Sequence, residues 1–205
     1  ANTEDEKNEE KKSVLKEVVR FLAKFVHNQK FNQNLLMERL PLFMKIMKNY
    51  SNCGVETLLQ ELFKGNKALV KQTHQVEKFT KNIISMIKTH KTSDNRSSKL
   101  LSSLQVLMRH KKQAIKPNQT VILTLLTSRD NNDVFITLED KDDRKHIEQL
   151  LQEYNRNISH LEANSLIEFP GEIDYLSTIL EVVGTTCEGK NAVTESRSQT
   201  SWPLV

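Results

Sequence analysis

The stretch from Glu172 to Glu195 most constrains what this chain can become. Ile173, Leu176, Ile179, Leu180 and Val183 recur three and four residues apart, Gly184 to Asn191 breaks the pattern, and a second helical start follows at Ala192. That spacing lays apolar side chains along one stripe of an α-helix, and the stripe has to be covered by a neighbour. One half of a helical hairpin is therefore written into these residues.

The same spacing recurs along the chain. Helices are expected from Ser13 through Val26, around Leu35, Leu36 and Leu40, and from Pro41 through Met47. Val55 to Phe63 reads as a short helix closed by Gly65, and Leu69, Val76, Phe79, Ile83, Ile84 and Ile87 as one long helix. Leu100 to Met108 and the segment opened by Pro117 continue the series. Ile147, Leu150, Leu151 and Tyr154 carry the spacing on, up to a polar patch from Asn155 to Ser159. Val134-Phe135-Ile136-Thr137-Leu138 fits an isolated extended segment or a helix end. With only 5 Gly and 4 Pro in 205 residues, the chain lacks the punctuation of a many-turned sheet.

An all-α fold follows, built as an armadillo- or HEAT-like α-solenoid of stacked helix pairs, with a compact helical bundle as the alternative. Residues 1–12 are expected to form a disordered charged lead, 13–197 a single helical domain and 198–205 a tail. No run reaches the roughly 18 to 20 apolar residues of a spanning helix, so this segment is not expected to insert into a membrane. Nor does the charged start look like a signal peptide.

The net charge of +4 conceals a split. Lysines and arginines crowd Lys64 to Lys116 against few acids, whereas Asp and Glu prevail from Asp130 to Glu181. Lys71, Lys78, Lys81, Lys88, Arg109, Lys111 and Lys112 are the candidate basic contact surface, suited to an acidic protein face or anionic lipid head groups, or else form a simply solvated face. The lysines are not interleaved with aromatic residues, so nucleic acid is not expected as the partner. Cys53 and Cys187 read as free thiols, and six scattered histidines lack metal-ligand spacing. The acidic cluster Asp130, Asp133, Asp140, Asp142 and Asp143 misses the glycine and terminal glutamate of an EF-hand. Phosphate loops and nucleophile elbows are absent, so neither catalysis, a cofactor nor a metal site is expected.

Two segments resemble a known family. Phe21-Leu22-Ala23-Lys24-Phe25 with Asn28-Gln29-Lys30-Phe31-Asn32-Gln33-Asn34-Leu35-Leu36 is similar to the homology domain shared by inositol trisphosphate and ryanodine receptors. Tyr175 through Cys187-Glu188-Gly189-Lys190-Asn191 resembles a segment in the cytosolic solenoid of inositol trisphosphate receptors. The two lie in the family's order. The resemblance implies a cytosolic module of a homotetrameric calcium-release channel of the endoplasmic reticulum, relaying ligand-driven movement toward the pore. Its expected partners are other domains or subunits of that channel; the alternative is a stand-alone helical-repeat adaptor that binds other proteins. The family's inositol trisphosphate pocket and pore lie in other parts of such receptors, so no ligand-binding or conducting residue is transferred to this chain.

Overall fold

Apolar stripes become helices throughout the computed structural model, which describes residues 4–50, 53–71, 73–89, 95–111, 113–159 and 171–202. In order they are α1 (Glu4–Val26), α2 (Lys30–Met37), α3 (Leu40–Asn49), α4 (Val55–Phe63), α5 (Lys67–Val70), α6 (Thr73–Thr89), α7 (Asn95–Ser102) and α8 (Gln105–Met108). A two-stranded antiparallel hairpin of β1 (Arg109–His110) and β2 (Gln113–Ala114) follows, then α9 (Lys116–Leu126), a 3-10 turn (Arg129–Asn131), α10 (Lys141–Ser159), α11 (Gly171–Cys187) and α12 (Ala192–Ser201). The fold is all-α.

Packing divides the chain into two sets. α4, whose Leu58, Leu59 and Leu62 are fully buried, gathers α1, α2, α3 and α5 around itself. α6 lies on α9, while α11 covers α7, α8 and α9 and is flanked by α12. Contact between α4 and α8 joins the sets, and the buried apolar residues form one continuous core. α11 thus covers three earlier elements at once, whereas in a strict repeat stack each unit would touch only its neighbours.

Several boundaries depart from the sequence expectation. α1 begins at Glu4 and not near Ser13, because Glu and Lys are strong helix formers and pairs such as Glu9 with Lys12, 3.5 Å apart, meet on the helix surface. Residues 4–12 of that lead are therefore helical. The expected long helix from Leu69 is two, α5 and α6, since α5 stops at Val70 and α6 starts at Thr73. Leu100 to Met108 is likewise split between α7 and α8. α10 runs through the polar patch from Asn155 to Ser159 without a break, and α11 continues past Gly184 to Cys187.

The ambiguous run after Asp133 is neither strand nor helix. Val134 and Phe135 are fully buried, the Tyr175 hydroxyl donates to the Val134 carbonyl at 2.5 Å, and the Leu138 amide donates to the Ser201 carbonyl at 2.8 Å. Burial pushes the Tyr175 phenol well above its ordinary value, so it remains a donor. Trp202 meets Phe135 edge-on at 5.1 Å, which packs this residue of the expected tail against the core.

Candidate functional site

A basic cavity of about 560 Å³ opens where α5, the hairpin and the start of α9 meet. Lys67, Lys71, His110 and Lys116 line it together with Gln113 and Asn118, and no carboxylate is among its lining residues. His110 also borders a second cavity of about 510 Å³ with Lys64, Arg109 and Lys111. There Glu61 is already engaged, with His27 Nδ1 at 2.7 Å and Lys64 Nζ at 3.0 Å. The two cavities form a cationic region around one half-buried imidazole.

The local charge registers on that imidazole. Burial, then Lys111, Lys67 and Lys30, hold the His110 pKa below the ordinary histidine value, so the ring stays neutral until the solution is acidic. The start of α9 adds the positive end of a helix dipole. Chemically, the arrangement can attract carboxylates or other anions.

The candidate basic residues are not all brought together. Lys71 lines the first cavity, Arg109 and Lys111 line the second, and Lys78, Lys81 and Lys88 line neither. Lys112 lies outside the described residues. Lys81 pairs with Glu77 at 2.6 Å, Arg109 with Glu188 at 3.3 Å, and Lys88 with Asp133 at 3.4 Å and the Asp130 carbonyl. The basic middle and the acidic third of the sequence therefore meet partly within this chain. Lys67, His110 and Lys116 were not singled out by sequence, because the hairpin that collects them turns at Lys111, whose positive φ of 48° is not announced by Gly, Asn or Asp.

Beside the cavity, buried amides clamp helix ends. Gln119 Nε2 donates to the carbonyls of Thr185 and Glu188 at 2.9 and 3.0 Å, closing the C-terminus of α11. Gln33 Nε2 does the same for α4, donating to Glu61 and Lys64 carbonyls at 2.9 and 2.8 Å. The residue before each glutamine also reaches a helix end: Asn32 donates to the Phe25 carbonyl, Asn118 to those of Val70 and Leu107. Each clamped turn contains a left-handed glycine, Gly65 or Gly189, and an asparagine that donates back to the clamping helix, Asn66 to Asn34 and Asn191 to Thr120. One device is used twice.

The family model described as the RIH domain matches residues 1–139, which run from α1 through α9 and the 3-10 turn. The chain belongs to the RIH domain family. This is the homology domain of ryanodine and inositol trisphosphate receptors, in agreement with the resemblance carried by Phe21 to Leu36. Gln33 falls inside the matched RIH region as the α4 clamp, and the turn around Gly189 lies C-terminal to it. No curated protein and no solved structure matches the chain. Among the described residues of this RIH chain, no His, Cys, Asp and Glu cluster could hold a metal ion, and no helix is long and apolar enough to cross a membrane.

Proposed function

We propose that this RIH chain is a non-catalytic regulatory and scaffold segment of an inositol trisphosphate receptor-like calcium-release channel, on the cytosolic face of the endoplasmic reticulum membrane. It relays conformational change and contacts other domains or subunits of a homotetrameric parent. The RIH match over residues 1–139 carries this reading. Helices that pack through end clamps support it further, since a movement imposed on α4 or α11 is passed directly to α2 or α9.

Fractionation of cells with an antibody to this segment tests the assignment. The expected species is very large, resists carbonate extraction and requires detergent for release. A small protein extracted by carbonate overturns the channel reading.

The basic cavity is the proposed contact point, and an acidic stretch of a neighbouring domain is its proposed occupant. Fluorescence anisotropy with a poly-glutamate peptide is expected to show binding that weakens with salt and tightens as the pH falls through the lowered His110 pKa, where the imidazole gains charge. Reversing Lys67→Glu and Lys71→Glu together should weaken that binding by about tenfold or more, because attraction is exchanged for repulsion. Equal affinity in the variant would remove the cavity from the proposal.

A further inference from the structure

The outer face of α1 carries a second apolar seam besides the one buried on α4. Val19 and Val26 are buried and Leu15, Leu22 and Ala23 pack against the core, which accounts for the inner face. On the other side Val14, Val18, Phe21 and Phe25 are exposed, with Val14 and Phe21 at 65% and 63%. The two phenylalanine rings stack on each other at 6.1 Å, and Ser13, Val14, Glu17, Val18 and Phe21 line a shallow groove. Spacings of four, three and four residues between the seam positions are those of a heptad repeat, the pattern by which one helix packs along another.

We infer that this seam pairs with the same seam of a second copy of the chain, in antiparallel orientation. Under a two-fold axis the seam is complementary to itself in size, since Val14 meets Phe25 of the other copy and Val18 meets Phe21. Its charged flank decides the direction. Glu17 and Lys24 sit on the same flank one heptad apart, and flanks of this type face each other only when the helices run in opposite directions. Each Glu17 then meets a Lys24, twice per pair. A parallel arrangement would instead set Glu17 against the apolar Leu22.

Among the described residues Glu17 pairs with Arg20 alone, at 3.8 Å with both side chains exposed, a weak pairing that it can exchange. The mixed charges of the flank do not favour an anionic lipid surface, which would repel Glu17. An isologous contact closes on itself, so it cannot be the repeating contact of a four-fold ring. In the tetrameric parent proposed above, it would join one assembly to another.

Sedimentation of the 205-residue chain over a concentration series tests the pairing. The wild-type chain is expected to pass from monomer to dimer. Phe21→Glu, at an exposed position, should abolish the dimer while leaving the helical circular dichroism unchanged. Glu17→Lys and Lys24→Glu should each weaken dimerisation about tenfold, because two attractions become repulsions, and the double swap should restore it. A chain that stays monomeric at every concentration overturns the inference, as does a dimer indifferent to Phe21→Glu. A dimer that the double swap fails to restore overturns the antiparallel register.

Discussion

Gly189→Ala should destabilise the chain by about 2–4 kcal/mol, from the combined costs of a left-handed backbone and an overlapping side chain. Gly189 sits at φ +76°, and a Cβ placed there would lie 2.6 Å from the Ala114 Cβ. The contact cannot relax cheaply. Ala114 is in β2, and the turn on the other side is fixed by the Gln119 clamp, by Lys116 Nζ donating to the Lys190 carbonyl at 3.0 Å, and by the Arg109–Glu188 pair. Urea denaturation measures the loss. Gly65 has a similar φ of +74° but nothing within 4 Å of an added Cβ, so Gly65→Ala should show the backbone cost alone, about 1–2 kcal/mol. Adding Ala114→Gly to Gly189→Ala should recover the steric part and leave the backbone part. Equal losses at Gly65 and Gly189 would show that the approach to Ala114 is not limiting.

The contrast between these glycines marks what was legible in the sequence. Helix existence was legible because burial follows much of the apolar period: Ile173 and Ile179 are buried on α11 and Phe43 and Met47 on α3, although Leu180 of the expected α11 stripe is exposed and Val182, outside that stripe, is buried in its stead. Pro41 and Pro117 stand within the first two positions of α3 and α9, as their fixed φ and missing N–H favour. Gly65 closes α4 in the left-handed conformation expected of it.

Breaks that depend on tertiary contact were not legible. The pause between α5 and α6 has neither Gly nor Pro, and the hairpin at Arg109 to Ala114 follows from Ile115 donating its amide to the Met108 carbonyl at 2.8 Å. The basic surface was only partly legible, since local sequence gives charge but not the ion pairs that occupy Lys88 and Arg109. The repeated clamp was hidden for a related reason. Asn32-Gln33 and Gly65-Asn66 are separated by a shorter stretch than Asn118-Gln119 and Gly189-Lys190-Asn191, so no fixed period joins them. Each pair shares its role through three-dimensional position.

Gln119→Met should cost about 2–4 kcal/mol, because it keeps the volume of the side chain but leaves the Thr185 and Glu188 carbonyls without their donor and removes one of the acceptors of the Asn191 amide. Gln119 is fully buried and spends both ends of its amide: Nε2 on Thr185 and Glu188, Oε1 on Asn191 Nδ2 at 3.1 Å. Asn191 occupies the N-cap of α12 without capping it, its side chain being turned toward Lys116, Gln119 and Thr120. The loss therefore reaches both helices of the hairpin at once. Gln33→Met should cost less, since the Gln33 Oε1 has no hydrogen-bond partner among the described residues and only the Nε2 bonds are lost. Amide hydrogen exchange separates the two. Gln119→Met should lower protection at the end of α11 and the start of α12 and spare α4, whereas Gln33→Met should lower it at the end of α4 and spare α11. If either variant loosened both helix ends equally, the clamps would not be local devices, and the proposed passage of movement from one helix to its clamping partner would lose its physical basis.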